Sequence, residues 1–114
     1  MIYDLELTLY RQQGRPMDLA LTELGSYLYA EAEVYHRRYW EAVQAGQTID
    51  TMAMLPEHLN EEGELYARLA DGFIYRVVQQ QRGWDENNLP FTTLSLSRES
   101  RRYEILNKDV NDNA

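Results

Sequence analysis

Two carboxylates stand where the surrounding pattern is apolar. Asp71 lies inside "YARLADGFIYRVVQQQRGWDENNL" (66–89), with Ala67, Ile74 and Val78 around it at helical spacing. Glu23 has Leu19, Ala20, Tyr27 and Ala30 one helical turn away. A carboxylate in apolar surroundings is costly unless it is paired or liganded. On two helices packed side by side, Glu23 and Asp71 would meet that need by sharing a divalent cation, and magnesium takes oxygen ligands, commonly carboxylates together with phosphate oxygens. Arg68, three residues before Asp71, offers the competing account, an ion pair within one helix. Arginine or tyrosine side chains would equally satisfy Glu23.

The elements that must hold these residues read as helices. A short first helix is predicted from Asp4 to Gln13, with Tyr3, Leu5 and Leu9 on one face and "GRP" (14–16) ending it. Asp18 then caps a long helix from Leu19 to Ala45, whose seam is Met17, Leu21, Leu24, Leu28, Tyr35 and Tyr39, and Gly46 stops it. "QTIDTMAMLPEHLNEEG" carries Pro56 and reads as a loop. A third helix is expected to start between Glu61 and Glu64 and to end at Gly83, with Asp85 as the next N-cap. Beyond it "FTTLSLSRESRRYEIL" alternates like a strand at Leu94 and Leu96 before turning helical and charged. The expected fold is therefore all-α, an antiparallel helix hairpin or bundle. Residues 1–106 would form a single helical domain, with 107–114 a flexible tail. Helices of this length leave apolar seam uncovered, which predicts a homo-oligomer, a dimer or larger.

Composition narrows the function classes. Eleven Lys and Arg against 19 Asp and Glu give a formal charge of −8, which argues against general nucleic-acid binding and favours a basic protein partner or cations at an acidic site. There is no cysteine, so no disulfide framework or thiolate chemistry. No apolar run reaches membrane-span length, and "MIYDLELTLYRQ" lacks a signal peptide's layout, so a cytoplasmic location without membrane attachment is expected. Only Lys108 among the cations is lysine; arginine suits bidentate contacts with carboxylate or phosphate.

Other constellations are thinner. Glu33 and His36 form an E-x-x-H, half of a ferritin-like di-iron site, but a solvated helix face explains them as well. No G-x-S-x-G, triad context or Gly-rich phosphate loop is present. Of nine tyrosines, Tyr27, Tyr29, Tyr35 and Tyr39 crowd one segment. Core or interface packing is their expected use, with nucleobase stacking by Tyr27, Tyr75 or Trp84 as the alternative.

The run "LADGFIYRVVQQQRGWDENNL" resembles the second metal-binding helix of MazG-like, all-α nucleoside triphosphate pyrophosphohydrolases, whose members read E-x-A-D-V-x-I-Y before a G-[IW]-D-L-type turn. "LALTELGSYLYAEAE" is similar to that family's first metal helix, with its E-E-x-x-E core, and "SRESRRY" to the basic segment that follows in some members. The likeness spans about 17–103. The family's E-x-x-D corresponds to Arg68 and Asp71, and its E-E-x-x-E to Thr22, Glu23 and Ser26, so two acids stand where the family has five. The resemblance implies Glu23 and Asp71 as magnesium ligands, with Glu61, Glu62 and Glu64 as candidates for activating water. It also implies Arg68 as a phosphate contact replacing a cation. The expected function is nucleotide or protein-partner binding with weak or no pyrophosphohydrolase activity. An active magnesium-dependent pyrophosphohydrolase and an acidic helical inhibitor protein of phage type are the alternatives.

Overall fold

In the computed structural model, which describes residues 2–13, 19–32, 46 and 48–106, every regular element is a β-strand. These are β1 (Leu5–Gln13), β2 (Leu19–Ala32), β3 (Thr51–Leu55), β4 (Leu65–Arg68), β5 (Ile74–Trp84), β6 (Pro90–Arg98) and β7 (Tyr103–Leu106). The first six run in the order β1-β4-β5-β6-β3-β2, and β2 pairs back with β1, so the sheet closes into a barrel with every neighbour antiparallel. Closure removes sheet edges, which is how a small all-β fold avoids unpaired backbone. β7 lies outside the ring, parallel to β2.

This overturns the expected all-α hairpin or bundle. The first predicted helix is β1. The described part of the second is β2, and the rest, with Tyr35, Tyr39, Glu33 and His36, falls outside the described residues, as do Met17 and the 107–114 tail. The third divides into the end of a loop, β4, a turn and β5. The strand expected around Leu94 and Leu96 is β6, but the charged stretch after it forms no helix. A barrel without a helix among its described residues cannot be a MazG-like protein, so the magnesium-helix roles given to Glu23 and Asp71 lose their frame.

Two larger apolar clusters organise the described residues, beside a small one of Ile49 and Met52. Leu7, Leu9, Tyr29, Leu55, Leu65, Ala67, Leu94 and Leu96 fill the barrel, each at most 1% exposed. They sit at alternating positions, as strands with one face inward require. The second cluster, Tyr10, Leu19, Leu21, Tyr66 and Ile74, occupies the opposite phase of the same strands and is nevertheless buried. The segment that leaves β6 passes over this face, where Arg101 meets Tyr66 and Tyr103 meets Arg68. Glu99 N–H donates to the Ile74 carbonyl (3.0 Å), and the chain then crosses the outer face until Tyr103 pairs with Leu19 and Ile105 with Leu21. Residues 99–106 thus form a strap over the outside of the barrel.

Bulges explain why the strands imitate helices. The β1–β2 register passes from Leu9↔Gly25 to Tyr10↔Glu23, leaving Leu24 as an extra residue in β2. Leu19 and Leu21 therefore face the strap while Leu24 packs against the inner cluster. Val78 is the extra residue of β5, between Val77↔Leu96 and Gln79↔Ser95. One inserted residue reverses the phase of the alternation beyond it.

Candidate functional site: the strap and its open edge

The outer face that the strap crosses carries a connected network of polar side chains. Tyr66 and Arg68 point outward from β4 because Leu65, Ala67 and Leu69 point in. Arg101 Nη2 donates to the Tyr66 hydroxyl (2.8 Å) while its Nε and Nη2 grip Glu99 Oε1 and Oε2, each at 3.0 Å. Burial raises the Tyr66 phenol, and the neighbouring Arg101 charge partly offsets this. Donation from Arg101 holds the Glu99 carboxyl below its ordinary value. Beside this group a polar pocket of about 450 Å³ opens, lined by Gln12, Glu64, Tyr66, Arg76, Glu99 and Arg101.

Further along the same face, the Arg68 guanidinium stands 5.9 Å from the centre of the Tyr10 ring and donates to the Tyr103 hydroxyl at 3.4 Å. That hydrogen bond raises Arg68 further, against its desolvation. Its buried Nε has no partner among the described residues. Glu23, cross-strand from Tyr10, places its negative charge close enough to oppose ionisation of that phenol. Glu23 and Arg68 are thus brought to one aromatic ring, as neighbours on a sheet face rather than across a helix pair.

Asp71 is elsewhere. It sits exposed in the β4–β5 turn, where Oδ1 accepts from the Phe73 N–H (2.9 Å) and Oδ2 from the Tyr75 hydroxyl (2.7 Å). Gly72, at φ +87°, completes the turn with a backbone geometry that glycine adopts readily. The apolar run that seemed to surround this aspartate belongs to two separate strands. Glu61, Glu62 and Glu64 lie between β3 and β4. Glu61 pairs with Arg11 at 2.6 Å, the Glu62 carbonyl accepts from Arg11 Nε at 3.3 Å, and the Glu64 carbonyl accepts from the Gln12 N–H at 2.9 Å. No three His, Cys, Asp or Glu side chains converge on a common point among the described residues.

The nucleobase-stacking candidates also separate. Tyr75 is buried and hydrogen-bonded to Asp71, Tyr27 is half-buried against the inner cluster, and Trp84 is exposed near the tip of the β5–β6 hairpin. What sequence reasoning missed is the strap set of Tyr66, Glu99, Arg101 and Tyr103. The signal available was "SRESRRYEIL" itself, in which arginines and an apolar triplet follow a strand too closely to start a new core layer.

β7 is the chemically open part of this site. It hydrogen-bonds to β2 on one side, and among the described residues nothing pairs with its other side. Tyr103, Ile105 and Leu106 remain 39%, 38% and 37% exposed. No family model and no curated protein matches the chain, so the MazG likeness has neither a fold nor a sequence relationship behind it.

Proposed function

We propose that this chain is an assembly module: the closed barrel is a rigid carrier for one open strand edge, to which a second copy adds its own β7. The observation that supports this most is β7 itself. Six strands already satisfy one another by closure, and the seventh adds an edge that, among the described residues, nothing pairs. Natural edges of this kind are blunted by lysine, proline, a bulge, charge or shortness; "YEIL" (103–106) has no lysine, proline or bulge, and its protection is limited to the Glu104 charge and its length of four residues.

Addition of one extended strand to another supplies main-chain hydrogen bonds, with side chains setting the register. In an antiparallel pairing about a two-fold axis perpendicular to the sheet at Ile105, Ile105 lies opposite its symmetry mate, and Glu104 opposite Leu106. Aliphatic then meets aliphatic at the axis, and the two Glu104 carboxylates are not directly opposed. Four residues a side make a small interface, so association of micromolar strength or weaker is expected. Sedimentation equilibrium tests the proposal: the natural chain shows a concentration-dependent dimer, and Ile105→Lys is monomeric with unchanged far-UV circular dichroism. A natural chain that stays monomeric at high micromolar concentration overturns it.

A further inference from the structure

We infer that the tip of the β5–β6 hairpin is a second docking site, which takes an arginine side chain from a basic segment of a partner protein. Trp84 and Leu89 are 60% and 58% exposed there, on either side of the acidic turn residues Asp85 and Glu86. Exposed apolar side chains on a loop are ordinarily mobile, and ordering them on binding costs affinity. This tip is already ordered.

The turn is tied by its own aspartate. Asp85 Oδ1 accepts from the Asn87 and Leu89 N–H groups at 2.8 and 2.9 Å, and the Asp85 N–H donates to the Leu89 carbonyl at 2.9 Å. Asn88 takes the left-handed conformation (φ 61°) that asparagine tolerates. Trp84 is held from the side: the His58 ring meets it edge-on, with centroids 4.7 Å apart and planes at 73°. His58 Nε2 lies 2.9 Å from the Gly83 carbonyl, which fixes the imidazole in turn. An indole that is fixed and still largely in water is a preorganised anchor, the residue type that concentrates binding energy at protein interfaces.

Charge selects the occupant. The tip carries Asp85 and Glu86 on a chain of net charge −8, and Arg82, a cation of the same hairpin, is turned toward Asn60 Oδ1 at 3.5 Å. A guanidinium stacks on an aromatic face and also pairs with a carboxylate in its plane, which an ammonium does less well. Trp84 supplies the face and Glu86 the carboxylate. An anionic lipid surface would meet the same turn with like charge.

The test uses the full chain with Trp40→Phe, which leaves Trp84 as the only tryptophan. Its fluorescence is followed during titration with hexa-arginine, hexa-lysine and vesicles of zwitterionic or anionic lipid. Calorimetry on the otherwise natural chain, with and without Trp84→Leu, repeats the arginine titration. The expected result is saturable binding of hexa-arginine, about threefold to tenfold weaker for hexa-lysine and for Glu86→Gln, and lost in Trp84→Leu. Equal response to both peptides, insensitivity to Glu86→Gln, preference for vesicles, or a shift driven by protein concentration alone each overturns the inference.

Discussion

Arg101 reaches back across 35 residues of sequence to donate to the Tyr66 hydroxyl at 2.8 Å, joining the strap to a phenol buried on the outside of the barrel. It is one of the ties that hold the strap there, with the Glu99 N–H to Ile74 carbonyl bond and the β7–β2 ladder. Tyr66→Phe is expected to cost about 1–2 kcal/mol, because the hydroxyl accepts from Arg101, which keeps its carboxylate partner, and donates more weakly to Gln12 Oε1 at 3.4 Å. Denaturant unfolding measures the loss, and amide hydrogen exchange at 103–106 should accelerate more than exchange within β4.

Leu21 and Leu28 lie on the same strand and separate the strap's cover from bare surface. Leu21 is fully buried beneath the strap, whereas Leu28 is 52% exposed. Leu21→Ala should cost roughly 2–5 kcal/mol, as a core truncation does. Leu28→Ala should stay within about 0.5 kcal/mol. Similar losses at the two positions in urea unfolding would mean that the strap does not shield the outer cluster.

Tyr75 makes the fold sensitive to alkali. Burial, then its hydrogen bond to Asp71, push the phenol from 10.0 up to about 12. The fold therefore favours the protonated form. The stabilisation is complete below pH 10 and is lost as pH rises through about 12. Unfolding free energy should fall across that window, by an amount on the order of 2 kcal/mol for this group. Asp71→Asn should lower the phenolate midpoint in an absorbance titration and flatten part of the fall. The burial-raised Tyr10, Tyr29 and Tyr66 keep some of the slope.

Gly83 and Phe91 face each other across the β5–β6 ladder, and a Cβ at position 83 would lie 2.7 Å from Phe91 Cζ. The ring covers the strand where a side chain is missing. Gly83→Ala should cost about 1–3 kcal/mol through displacement of the ring. In a Phe91→Leu background the same change should cost less, a coupling that a double-mutant cycle on thermal unfolding will read.

The sequence carried the strands in a form that the bulges disguised. Leu65, Ala67 and Leu69 alternate cleanly, and "DG" at 71–72 followed by "FIY" is a hairpin signal with a physical basis, the left-handed backbone that Gly72 takes. β5 imitates a helix because Val78 is an extra residue in it, and Ile74, Val77 and Val78 stand at three- and four-residue steps. In β2 the extra residue Leu24 turns Leu21, Leu24 and Leu28 into a false seam, although Leu21 faces the strap and Leu28 faces water. Burial on both faces of β2 depends on the strap, and no local pattern in β2 announces it. Of the candidate site, the proximity of Glu23 and Arg68 was legible only as a pair of charges. Their common neighbour, Tyr10, comes from β1, and long-range register decides it.

The assembly role of β7 is tested by a nitroxide on Glu104→Cys, since the natural chain has no cysteine to compete for the label. Pairing of two β7 strands brings the two labels close together. Dipolar broadening is predicted at high protein concentration, abolished by Ile105→Lys and absent for a label on Glu86→Cys at the hairpin tip. Spectra from Glu104→Cys that show no broadening at any concentration, or broadening that Ile105→Lys leaves unchanged, would contradict it.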